Sequence, residues 1–371
     1  MEKMESKMVM NKNGGLIPPH ILQVIFSNLP ISNLPTCRLV GKTWNDLVLD
    51  YASSCKSLPQ AFFLFTSQRT IPDANHSYRL RYCNPKIHCI STNTMGSVAS
   101  FGIDSDSSKI FIFNHCNGLM FITKHTNGGR CDGILNPMTN EFFKLPGPEI
   151  DDFYTIGFGF SPNTNQYKLF KVRFRPLESS CVMEVFRLGR NGTNQWNHFK
   201  CLPFNIHYHG AYLNGVIYWI GKEKGNNFAI YALDVETERI DRIVTSLEVG
   251  PYEHSREVIE TFNGSVYVTI FMFEPSCKLQ VWRMQGKDSW IRKFVIDDVP
   301  NGWENKLSQI IKTFEYGTIL FLVYGDLFCL DTIGKKVKME TLNLDNRVIT
   351  GFSNIDSLNF GSLPKILEGN K

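Results

Sequence analysis

The sequence has 371 residues, a formal net charge of +4 and 20% charged residues. That length suits a small module plus one large domain. The charge is too mild to argue for a nucleic-acid partner or an anionic membrane surface. Aromatic residues make up 13% of the chain, and Phe alone numbers 28, which points to a sheet-rich protein.

Met1 to Gly15 is charged and polar, with no apolar core of signal-peptide length, and is expected to be a disordered leader. Later apolar runs such as Ala61 to Phe65 and Ile319 to Tyr324 are of strand length, so no membrane span is expected. The ten cysteines form no C-x-x-C pair and are expected as reduced thiols. Asn75, Asn191 and Asn263 open N-x-[ST] sequons, which a chain without a secretory signal does not present to the glycosylation machinery. Cytosol or nucleus is the expected compartment.

Residues 16–57 read as a helical module. Ile21, Leu22, Ile25, Phe26 and Leu29 recur at the spacing of an amphipathic helix. Pro18 and Pro19 stand where a helix start tolerates proline, and Pro30 ends it. Asn33 is the expected N-cap of a second helix, with Pro35 in its first turn. Gly41 punctuates, and a third helix is expected from Thr43 to Tyr51. Leu34, Cys37, Val40, Trp44, Leu47 and Val48 form the expected buried stripe. Helices this short cannot bury enough apolar surface alone. The excess must go against the rest of the chain or a partner.

The same stretch resembles the F-box family. The resemblance is carried by Ile17-Pro18, Ile21-Leu22, Ile25, Leu29-Pro30-Ile31, Leu34, Arg38, Val40, Lys42 and Trp44, in an unbroken register. Departures from the family pattern are His20, Val24, Pro35 and Gly41. The resemblance implies docking on a Skp-family adaptor through Pro18, Ile21, Leu22, Ile25, Leu29, Leu34, Val40 and Trp44, with Trp44 also suited to the module's own packing.

From residue 58 to 371 the chain is strand-like and repetitive. Gly followed by an alternating apolar strand occurs at Gly118-Leu119, Gly215-Val216, Gly264-Ser265 and Gly317-Thr318, and Tyr167-Lys168-Leu169-Phe170 fills the long first interval. Turn signals recur in phase at Asn136, Gly189, Asp234, Gly286 and Asp331, at a mean step of about 49, near the kelch length of roughly 50. The expected fold is α+β and multidomain: a short three-helix module, then an all-β, propeller-like domain of kelch type with about six or seven blades, the two flanks supplying the last ones.

This region also resembles the F-box-associated interaction domain of plant F-box proteins. The carrying residues are Asn136-Pro137-Met138-Thr139-Asn140-Glu141 with Leu145-Pro146, Gly157-Phe158-Gly159-Phe160-Ser161-Pro162 with Tyr167-Lys168, Glu184-Val185-Phe186, Leu213-Asn214-Gly215-Val216-Ile217-Tyr218-Trp219 and Leu233-Asp234.

Chemical motifs are few. Gly41-Lys42-Thr43 lacks the earlier Gly that a phosphate loop needs, since position 36 is Thr. His207-Tyr208-His209 puts two imidazoles on one strand face, and two ligands do not make a zinc site. No G-x-S-x-G elbow or Cys in a catalytic context is present. No cofactor, metal or catalytic residue is expected, and aromatics such as Trp219, Trp282 and Trp290 are expected mainly as core. Lys171, Arg173 and Arg175 alternate onto one strand face. They are either a ridge that grips an acidic target segment or the solvated face of an outer strand.

The resemblances together imply the substrate-recognition subunit of an SCF (Skp–cullin–F-box) ubiquitin ligase, non-catalytic itself, reaching cullin and RING subunits through the adaptor. The alternative is a kelch-like interaction adaptor without ubiquitin transfer.

Overall fold

The computed structural model describes residues 9–10, 16–29, 33–54, 61–70, 81–91, 97–102, 107–126, 129–146, 154–175, 180–189, 195–202, 205–206, 210–223, 228–243, 247, 255–262, 264–272, 278–286, 289–297, 307–313, 318–323, 326–331, 336–338 and 347–354. The chain opens with β1 (Val9–Met10) and β2 (Leu16–Ile17), paired antiparallel as Val9 with Ile17 and Met10 with Leu16. The expected disordered leader therefore contributes one short strand, made of its apolar dipeptide.

Three helices follow. In α1 (Pro19–Asn28) Pro18 is the N-cap in extended conformation and Pro19 opens the first turn, where its missing N–H costs nothing. At the other end Ser27 Oγ and Asn28 Nδ2 each donate to the Val24 carbonyl at 2.8 Å, satisfying an acceptor in the last turn. α2 (Leu34–Cys37) carries Pro35 in its first turn and runs into a 3-10 turn, Arg38–Val40. Asn33 occupies the cap position, but its backbone is already helical (φ −89°, ψ −18°) and it makes no side-chain cap bond. α3 (Lys42–Ser54) begins where Asn45 N–H donates to the Gly41 carbonyl at 2.9 Å.

All later elements are strands in antiparallel sheets: β3 (Ala61–Thr70), β4 (Arg81–Ser91) and β5 (Ser97–Gly102); β6 (Ser107–Cys116), β7 (Leu119–Thr126), β8 (Gly129–Asn136) and β9 (Glu141–Lys144); β10 (Tyr154–Ser161), β11 (Gln166–Arg175), β12 (Ser180–Arg187) and β13 (Asn197–Leu202); β14 (Asn205–Ile206), β15 (Ala211–Leu213), β16 (Val216–Lys222), β17 (Phe228–Asp234) and β18 (Ile240–Ile243); β19 (Ser255–Phe262), β20 (Ser265–Met272), β21 (Lys278–Gly286) and β22 (Ser289–Asp297); β23 (Leu307–Thr313), β24 (Thr318–Val323), β25 (Asp326–Asp331) and β26 (Lys336–Lys338); and β27 (Arg347–Asn354). Each group forms one sheet, and β27 joins β3–β5 in the order β27-β3-β4-β5. The last strand thus completes the first sheet. The first strands β27, β6, β10, β15, β19 and β23 touch in that succession, and β23 touches β27 again.

The sequence repeat has a structural phase. Gly118, Gly215 and Gly264 precede the second strands of their sheets, and the recurring turn signals join the third strand to the fourth. Asn117-Gly118 and Asn214-Gly215 turn with positive φ (49° and 72°, 48° and 85°), the two-residue hairpin geometry that Asn-Gly favours. In the third-to-fourth turns Asn136 Oδ1 accepts the Met138 N–H at 3.0 Å, and Asp234 Oδ1 accepts the Thr237 N–H at 2.7 Å.

Three apolar clusters lie between successive sheets from β6 to β22. The glycines of Gly157-Phe158-Gly159-Phe160 make one of these interfaces possible. A Cβ on Gly157 would lie 2.2 Å from Trp219 Cζ2, and one on Gly159 would lie 2.6 Å from Val235 Cγ2. Trp219 and Phe158 are fully buried, and Trp282 and Trp290 are buried, as expected for core aromatics. Cys37, Cys116, Cys131, Cys181 and Cys201 are free thiols; Cys116 and Cys181 are buried and Cys201 is exposed.

Candidate functional site

The helical module has two faces. On the inner one Leu22, Phe26, Leu34 and Val48 are buried in one cluster with Ile110, Met120, Ile122, Leu135 and Met138 of the β6–β9 sheet and its turn. Each such side chain stabilises by roughly 1.5–3 kcal/mol when fully covered. Trp44 meets Phe26 edge to face with ring centroids 5.6 Å apart, and Tyr51 lies 6.1 Å from the same ring. Arg38 Nε donates to Asn45 Oδ1 at 2.8 Å, which ties the 3-10 turn to α3. Burial pushes the Cys37 thiol up from its ordinary value.

Away from that cluster, on its outer side, the module leaves large apolar residues of α1 and of the 3-10 turn uncovered. Leu39 is 85% exposed, Val40 63%, Val24 57%, Ile21 43% and Ile25 36%. Six of the nine exposed large hydrophobics among the described residues, counting Leu49, belong to this short module. Scattered singly they would need no explanation, but gathered on one module they call for a cover.

The structure divides the eight adaptor-facing residues expected from the sequence. Ile21, Ile25 and Val40 are exposed, and Pro18, Leu29 and Trp44 are half-buried. Leu22 and Leu34 are fully covered by the chain's own core. Their expected docking role is corrected to an internal one, because the β6–β9 sheet supplies the surface that the short helices lacked. Val40, placed above in the buried stripe as well, is corrected in the opposite direction. Val24 and Leu39 join the outer face; the helical period of α1 placed Val24 beside Ile21 and Ile25, whereas Leu39 carried no sequence signal.

The basic ridge is a different matter. β11 is the second of four strands, so it is not an outer strand as one reading had it. Lys171 pairs with Glu184 of β12 at 3.4 Å, and Arg173 pairs with the same carboxylate at 2.8 Å. The Lys171 ammonium also lies 4.3 Å from the Trp196 ring centroid. Burial lowers its pKa, with Glu184 acting the other way. Lys171 and Arg173 are therefore engaged within the fold, and Arg175 is exposed. Val172 is buried, whereas Phe174 on the same face is 40% exposed.

Among the described residues no group of three or more His, Cys, Asp or Glu is placed to hold a metal ion. His207, Tyr208 and His209 lie outside the described residues. No described helix is long and apolar enough to cross a membrane.

A helical module with uncovered apolar side chains, packed on a succession of antiparallel sheets, defines a two-part protein. Comparison with known proteins gives its kinship. A family model described as F-box domain matches residues 16–55, and one described as F-box associated beta propeller domain matches residues 61–324. The chain belongs to the F-box proteins that carry an F-box associated beta propeller domain, a group represented here by plant relatives. An F-box protein of Arabidopsis thaliana is 27% identical over 236 residues, covering 59% of this chain and 48% of that one. F-box protein DOR, also of Arabidopsis thaliana, is 25% identical over 244 residues, covering 61% of each. A third from that plant is 22% identical over 345 residues, covering 83% of this chain and 80% of that one. The first two matches span about half to three fifths of those relatives' length.

Proposed function

We propose that the chain is the substrate-recognition subunit of an SCF ubiquitin-protein ligase, working in the cytosol or nucleus. The uncovered apolar face of Ile21, Val24, Ile25, Leu39 and Val40 carries this reading. In it, these side chains dock on a Skp-family adaptor, with Pro18, Leu29 and Trp44 at the margin and Leu22 and Leu34 holding the module to the sheet behind. The adaptor leads to cullin and RING subunits. The six sheets are read as six blades of a kelch-like propeller, closed by β27 beside β3.

The mechanism is positional. A target held on a rigid ring meets the charged ubiquitin carrier at high effective concentration, so lysine attack becomes effectively intramolecular. The chain itself forms and breaks no bond.

Co-purification with a Skp-family adaptor tests the reading. Ile25→Asp with Val40→Asp puts two charges on the docking face and leaves the core intact, and it is expected to abolish capture while thermal unfolding stays unchanged. Capture at normal strength overturns the proposal. A cullin pulldown then separates ubiquitin transfer from a role with the adaptor alone.

A further inference from the structure

Between the β14–β18 sheet and the β19–β22 sheet lies a cavity of about 770 Å³. Leu213, Val216, Ala232, Ile243 and Ile291 give it apolar walls. Burial pushes the phenol of Tyr218, another wall residue, above its ordinary value. The cavity's charged groups decide what fits. Arg239 and Asp241 pair with each other at 2.9 Å. Asp234 is engaged by its own turn: Oδ1 accepts from Thr237 N and Thr237 Oγ1 at 2.7 and 2.9 Å, and the backbone bond chiefly holds its carboxyl below the usual range.

Arg283 is the exception. Its Nε and Nη2 donate to the Ser265 hydroxyl at 3.1 and 2.9 Å, and among the described residues no carboxylate pairs with it. One neutral hydroxyl accepts only part of a guanidinium's donor set and supplies no counter-charge. Ser265 holds the Nε–Nη2 side of the guanidinium, which leaves its Nη1–Nη2 end to meet a carboxylate. Directly opposite Arg283 in the ladder stands Ile291, on the edge strand β22 and 40% exposed. Cross-strand partners share a face, so the pair offers one cation and one apolar contact side by side.

We propose that this cavity receives a short extended segment of the target protein, with an Asp or Glu side chain on Arg283 and the neighbouring apolar side chain against Ile291 and Val216. The inference rests on the reading of the sheet ring as the target-binding part, and it locates that function away from Lys171 and Arg173, whose charges Glu184 already meets.

The test uses the full chain and a positional-scanning array of hexapeptides, with phosphoserine peptides as a separate arm. Peptides that pair Asp or Glu with an adjacent apolar residue are expected to be selected. Arg283→Gln is expected to weaken the selected peptide about tenfold or more, the effect of losing a charge-assisted hydrogen bond in a sheltered site. Ile291→Asp is tolerated by its exposed position and supplies an internal carboxylate to Arg283, so it is expected to give the same loss; Lys293→Gln, exposed and outside the cavity, is expected to give none. No binding, no acidic preference, selection of phosphoserine alone, or undiminished binding by both Arg283→Gln and Ile291→Asp overturns the proposal. Adaptor capture is read on the same preparation. Peptide binding without capture overturns only the ligase reading, and capture without peptide binding overturns only this one.

Discussion

Glu238, on the turn between β17 and β18, reaches a strand distant in the chain: its Oε1 lies 2.8 Å from Lys168 Nζ on β11, with side chains 15% and 5% exposed. Arg187 of β12 donates to the same carboxylate from Nε and Nη2, at 2.9 and 2.5 Å. Lys168 Nζ also donates to the Val235 carbonyl at 2.7 Å. One carboxylate on the β17–β18 turn thus clamps the neighbouring sheet. Glu238 adopts φ 59°, a conformation costly for a residue with a side chain, and its ion pairs offset that strain.

Removing that charge should be costly. Glu238→Gln leaves a buried ammonium without its counter-ion and is expected to destabilise by about 3–5 kcal/mol, as breaking one side of a buried pair does. Chemical unfolding of the variant and the parent checks this; a loss of less than about 1 kcal/mol would assign the clamp little weight.

The same group predicts a pH effect. Burial alone would raise the Glu238 pKa, but the hydrogen bonds from Arg187 and Lys168 hold it below the ordinary value. A carboxyl depressed in the folded state stabilises above its unfolded pKa and loses that contribution as pH falls through the folded one. Stability is therefore expected to drop as the solution is acidified below the usual carboxylate range. The drop should be smaller in Glu238→Gln, measured as unfolding midpoint against pH.

Gly157→Ala is expected to destabilise by at least about 1–3 kcal/mol, because the added methyl collides with fully buried Trp219. Gly215→Ala meets nothing within 4 Å and carries only the strain of φ 85°. Its cost is expected near 1 kcal/mol. Paired thermal melts compare them, and equal losses would contradict the packing account.

Neighbours on α1 should behave oppositely. Leu22→Ala is expected to cost about 2–5 kcal/mol from the cavity it leaves, whereas Ile25→Ala should fall within about 0.5 kcal/mol. Proteolytic clipping of the helical module gives an independent reading of which substitution loosens it.

Much of this architecture was legible in the sequence. The proline placements at Pro18, Pro19 and Pro35 anticipated the helix starts, and the Gly-strand repeat anticipated the second strand of successive sheets. The two flanks were expected to supply the last blades, and the pairing of β27 with β3 has them complete one sheet together. Glu184 was legible only as part of a Glu-Val-Phe motif. Its service to both Lys171 and Arg173 depends on the register between β11 and β12, which no local pattern encodes.

By itself, the sequence determined periodicity, punctuation and kinship: which residues share a helix face, where strands begin, and that an F-box precedes a repetitive β domain. The tertiary structure alone decided which apolar face was covered, sending Leu22 inward and leaving Ile21 and Val40 out. It also decided which cations meet a carboxylate: Lys171 and Arg173 share Glu184, while among the described residues Arg283 meets a hydroxyl. The reason is physical. Helical and strand periods are local properties of the backbone, whereas burial and charge pairing depend on surfaces that distant segments bring.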